Sequence, residues 1–166
     1  MLRATVVGLV LAALIGRAAA APDDAPAVRL GAAYAAYEAG DLDAAARALD
    51  GLAPERLANP DYLRWVRGQG ALKGDDPAAA LRDFEALAKD TSSRFRAEAA
   101  WRAADCLWQL DRRREAADAY RALRGKPGAS DLADLGVVDY RLAIAPGGKE
   151  QAALRAYLRA HPAHPL

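Results

Sequence analysis

Histidine, cysteine and serine, the side chains that most often carry metal or nucleophilic chemistry, are scarce in this chain: two, one and three. His161 and His164 stand three apart, a spacing that could aim two rings at one metal. Pro162 and Pro165 interrupt the helix that would have to carry them, so the pair reads as a terminal loop. Cys106 lies among Ala104, Leu107 and Leu110 and reads as a small buried apolar residue. Gly68-Gln69-Gly70 resembles a phosphate-binding loop only superficially, because Gly74 is at the wrong spacing and no strand precedes it; helix packing explains it better. Asp23/Asp24 and Asp75/Asp76 mark turns, with no proton donor or nucleophile grouped near them. Arg112-Arg113-Arg114 reads as a solvated turn at a helix start. No catalytic, cofactor or metal constellation emerges, so a binding protein is expected and an enzyme is not.

The elements that would position a binding surface are helices. Of 166 residues, 53% are hydrophobic and mostly alanine and leucine. Beyond the N-terminal stretch, the β-branched residues are Val28, Val66, Thr91, Val137, Val138 and Ile144, too few for a sheet. Net charge is +1, which excludes a global basic field for nucleic acid or an anionic membrane.

The N-terminus has its own logic. Arg3 and Arg17 bracket the uncharged run from Ala4 to Gly16, shorter than the roughly 20 residues that span a bilayer. Ala18-Ala19-Ala20 follows with small side chains. This is the form of a secretory signal peptide over 1–20, cut before Ala21, with a solvated linker over 21–26. The only cysteine is Cys106, so no lipid-anchoring thiol stands at the new N-terminus. The expectation is a periplasmic or secreted protein, without a membrane span after cleavage and without an intramolecular disulfide.

The remainder repeats. Ala45/Leu49/Leu52, Ala80/Phe84/Leu87, Ala116/Tyr120/Leu123 and Ala153/Tyr157/Ala160 share a spacing of four and three, which puts each triplet on one helical face. Their leading alanines lie 35, 36 and 37 residues apart. Twelve residues before the first three stand Ala33, Gly68 and Ala104, small enough to let two helices approach closely. Turn signals at Gly40-Asp41, Gly74-Asp75-Asp76-Pro77, Asp111-Arg112 and Pro146-Gly147-Gly148 separate the pieces. The pattern predicts helices over 26–39, 42–53, 60–73, 77–89, 94–110, 113–124, 131–145 and 149–160.

This pattern resembles the tetratricopeptide repeat family: a small residue early in the first helix, Ala-x3-aromatic in the second, and proline near the unit's end. It departs where the family usually has tyrosine, for Ala36, Ala71, Leu107 and Ile144 stand there. The resemblance implies an all-α, right-handed superhelical solenoid of about four divergent helix pairs over 27–166. A plain helical bundle is the alternative. The resemblance also implies a concave face lined by first helices, carrying Tyr34, Tyr37, Glu38, Tyr62, Trp65, Gln69, Lys73, Trp101, Asp105, Trp108 and Gln109 as a partner-binding groove. Trp65 and Trp101 have a second reading, as fillers of the gaps between alanine-rich units.

The function this implies is an exported scaffold for protein–protein interaction in the cell envelope, holding an envelope protein or peptide and needing no cofactor. Trp-Arg-Ala-Ala-Asp-Cys-Leu-Trp at 101–108 and the ending His-Pro-Ala-His-Pro-Leu, behind an export signal, also resemble the N-terminal helical region of soluble lytic murein transglycosylases. Those enzymes cut peptidoglycan with a glutamate in a Glu-Ser motif. No serine here follows a glutamate, so that resemblance implies a noncatalytic part that contacts the glycan. The chain stops at Pro165-Leu166, where a further helix would begin, which fits a truncated array.

Overall fold

The computed structural model describes residues 25–146 and 150–163. The expected signal peptide, residues 21–24 of the expected linker, the turn residues Gly147-Gly148, and His164 lie outside them. The described residues are helical, with no strand among them. In order they form α1 (Pro26–Glu38), α2 (Leu42–Leu49), a 3₁₀ turn (Pro54–Arg56), α3 (Pro60–Lys73), α4 (Pro77–Lys89), α5 (Arg96–Gln109), α6 (Arg113–Arg124), α7 (Ala129–Leu132), α8 (Leu135–Ile144) and α9 (Glu150–Ala160). None is long and apolar enough to cross a membrane.

The chain packs mainly on its own near past. Helices adjacent in sequence pack together from α1 to α6; α6 then meets α8, and α8 meets α9. The alanine-led triplets supply the buried stripe. Ala80, Phe84, Leu87, Ala116 and Tyr120 are all fully buried, as are Ala33 and Ala104. The fourth triplet is weaker, for only Tyr157 is buried while Ala153 is half-buried and Ala160 exposed.

Three chain reversals share one geometry. At the ends of α1, α3 and α5 the residue after the cap, Gly40, Asp75 or Asp111, takes a positive φ of 80°, 60° or 58°. In each, its N–H bonds the carbonyl three residues back, and the next N–H reaches five back: Asp41 to Ala36, Asp76 to Ala71, Arg112 to Leu107, all at 2.9 Å. These paired bonds satisfy carbonyls that a helix end leaves open. Asp41 and Asp76 then cap the following helix, each accepting an N–H at 2.9 Å from Ala44 or Ala79. Arg112 holds the same position at α6 and cannot accept; it clasps Glu115 instead, with two bonds of 2.7 Å.

Only glycine adopts the left-handed region without a Cβ penalty. Asp75→Gly and Asp111→Gly are each expected to stabilise the protein by about 0.5–1 kcal/mol, and Gly40→Ala to destabilise it by about 1–2 kcal/mol. Urea denaturation checks this, and a loss of stability in both glycine variants would contradict it.

Two predicted helices differ from the observed ones. The second, expected over 42–53, ends at Leu49, because Pro54 holds Ala53 extended at ψ 130° and Asp50 has already left the helix. The seventh, expected over 131–145, is broken at Ala133. Asp134 starts α8 afresh, accepting N–H groups from Gly136 at 2.9 Å and Val137 at 3.2 Å.

Candidate functional site

The expected groove residues divide into two groups. Tyr34 on α1 lies 5.7 Å from Tyr62 on α3, centroid to centroid. Tyr62 lies 6.1 Å from Phe95, and Trp65 stacks on Phe95 at 4.8 Å with the rings only 4° from parallel. The four rings make one row joining α1, α3 and the residue that leads into α5. Tyr34 is 41% exposed, whereas Tyr62, Trp65 and Phe95 are half-buried. The row is therefore anchored below and open above.

Cations lie on the rings. The Arg94 guanidinium sits 4.9 Å from the Phe95 centroid and 5.3 Å from that of Tyr62, with Asp61 at 3.7 Å on its other side. Lys73 places its Nζ 3.9 Å over Tyr37. Such contacts hold charge next to apolar surface at little cost in hydration. Glu38 beside Tyr34 raises that phenol's pKa; burial raises that of Tyr62, which Arg94 partly offsets. Gln69 is half-buried on the same helix as Tyr62, Trp65 and Lys73.

The second group gathers at the far end of α5. Arg113 and Arg141 approach the half-buried Trp108 at 5.3 and 5.6 Å, and Gln109 beside it is exposed. Asp105 is structural. It accepts from the buried Tyr120 hydroxyl at 2.8 Å, from Arg141 at 2.6 Å and from Arg102 at 3.5 Å, so α5, α6 and α8 are tied through one carboxylate. Burial, then the Asp105 charge, pushes the Tyr120 phenol well above its ordinary range.

Trp101 leaves the groove set and follows its second reading, as a filler between units: it is 3% exposed and faces Tyr120 at 6.3 Å, so its indole belongs to the core. Phe95 and Arg94 are the opposite case, absent from the expected groove yet central to the ring row. They precede α5, although the expected helix over 94–110 takes them in, and no repeat-register position falls on either. The available signal was an Arg-Phe pair straight after the polar turn Asp90-Thr91-Ser92-Ser93.

Reactive chemistry has little to work with. Burial pushes the Cys106 thiol up to about 12, so it stays protonated at neutral pH. His161 meets Asp139, Nε2 to Oδ2 at 3.0 Å, while Arg124 donates to both oxygens of that carboxylate, Nη2 to Oδ2 at 2.7 Å and Nε to Oδ1. Burial raises the Asp139 pKa, but hydrogen bonds from Arg124 and His161 outweigh it and leave the carboxyl below its usual range. Among the described residues, no three histidine, cysteine or acidic side chains gather as metal ligands. The surface can recognise through rings and fixed charges. No family model matches the chain, and no curated protein or solved structure does.

Proposed function

We propose that this chain is an exported interaction scaffold of the cell envelope, a right-handed solenoid of about four tetratricopeptide-like helix pairs that holds a segment of another envelope protein on its first-helix face. The observation that carries the reading is the ring row Tyr34–Tyr62–Phe95–Trp65, half-open and bordered by Arg94. Rings supply large contact area for few lost rotamers, and interface hot spots are rich in tyrosine, tryptophan and arginine. The shared reversals after α1, α3 and α5 support the repeat reading, since they recur 35 and 36 residues apart like the alanines. A protein segment is favoured over a peptidoglycan strand because Trp101, one of the rings on which a sugar would stack, is buried.

Photo-crosslinking in living cells tests this. A photoreactive residue replacing Tyr34, Tyr62 or Gln69 is expected to capture one and the same envelope protein, and one replacing the exposed Arg82 of α4 is not. The recovered chain is expected to begin at Ala21. Equal capture from Arg82, or a chain retained in the cytoplasm with its first residues intact, would overturn the proposal.

A further inference from the structure

Between the first two turns of α5 and the segment from the end of α6 through α7 lies a cleft of about 390 Å³, within the roughly 300–1,000 Å³ of ligand sites. Its floor is apolar: Trp101, Leu123 and Ala129 are buried, and Ala100 and Leu132 half-buried. Its rim carries the exposed cations Arg94, Arg96 and Lys126, and no carboxylate lines it.

Elsewhere on the surface, Arg112, Arg121 and Arg124 are matched by Glu115, Asp118 and Asp139. At the cleft, Arg94 has Asp61 at 3.7 Å, but Arg96 reaches only the Ala88 carbonyl, at 3.4 Å. Among the described residues, neither Arg96 nor Lys126 has a carboxylate within salt-bridge distance. Like charges around an apolar floor repel one another, and a bound anion with an apolar body removes that repulsion while covering the floor.

We propose that this cleft binds a small amphiphilic carboxylate, with its apolar part against Ala100, Leu123 and Leu132 and its carboxylate between Arg96 and Lys126. The site is separate from the ring row, except that Arg94 borders both, and it does not depend on the scaffold reading.

Calorimetric titration of the full chain with sodium decanoate at low ionic strength tests it, with decanol as the tail without charge and acetate as the charge without tail. One saturable decanoate site is expected, weakened at least about tenfold by the charge-reversed pair Arg96→Glu/Lys126→Glu. Ala97→Trp, which fills the cleft from its exposed rim, is expected to abolish binding. All three positions are exposed, so unchanged melting temperatures separate a lost site from a lost fold. Decanol or acetate binding as well as decanoate, full affinity in the charge-reversed pair, or no saturation would each overturn the proposal.

Discussion

Replacing Gly68 by alanine is expected to destabilise the fold by about 1–3 kcal/mol, although the same change at Gly31 is expected to stabilise it by about 0.5–1 kcal/mol. Both glycines are inside helices, where alanine is the better helix former. The difference is what a Cβ would meet. At Gly31 there is nothing within 4 Å, whereas at Gly68 the Cβ would fall 2.9 Å from Phe84 Cε1, 3.1 Å from Cζ and 3.2 Å from Cδ1. The Phe84 ring cannot yield easily, being fully buried and set edge-on to Trp65 at 5.6 Å. Overpacking thus outweighs propensity. Phe84→Ala alone should cost about 3–5 kcal/mol by leaving a cavity under α3. The pair Gly68→Ala/Phe84→Leu should cost less than the sum of its single changes, since the smaller side chain vacates the space that the new methyl needs. Denaturation of these variants together with Phe84→Leu decides it, and a Gly68→Ala protein as stable as Gly31→Ala would refute the close approach.

This contact also shows how far the sequence was legible. Gly68 and Phe84 belong to the recurring register, so their helices, their shared face and the need for a small residue could be read from spacing alone. Six of the eight predicted helices have bounds within two residues of the observed ones. What spacing could not reach was depth. Trp65 and Trp101 each stand three residues before a small buried position, yet one stays half-open on Phe95 while the other is sealed against Tyr120. That difference is set by neighbours from other helices, which helical periodicity does not encode. The same holds for Asp105, read as a groove residue and found holding Tyr120 and Arg141. Phe95 and Arg94 were missed because no repeat-register position falls on them, although the expected helix over 94–110 contained both.

The chain distance between α3 and α4 fixes which residues can face each other, but a second contact sets their register. Arg67 and Asp83, the immediate neighbours of Gly68 and Phe84, form a two-bond pair, with Nε to Oδ2 at 2.6 Å and Nη2 meeting Oδ1. Its members are unequally placed: the Asp83 side chain is 8% exposed and that of Arg67 40%. The hydrogen bonds that Arg67 donates to Asp83 raise its pKa further, so the guanidinium is charged throughout the working range. Removing either partner should therefore have unequal costs. Arg67→Ala strands a carboxylate that water can barely reach, and is expected to cost about 2–3 kcal/mol, less than the about 3–5 for a fully buried pair because the site's outer edge is solvated. Asp83→Ala leaves an arginine that can turn outward into water, and about 1 kcal/mol is expected. Arg67→Met/Asp83→Leu has no charge to strand and should come within about 1 kcal/mol of the wild type. Chemical denaturation gives all three, and Asp83→Ala costing more than Arg67→Ala would show that the buried carboxylate is not the member at risk. If the double variant keeps its stability while Gly68→Ala becomes harmless in it, the ion pair is what presses α4 onto α3. In that case the chain uses charge to set the register and the glycine to make the resulting approach possible.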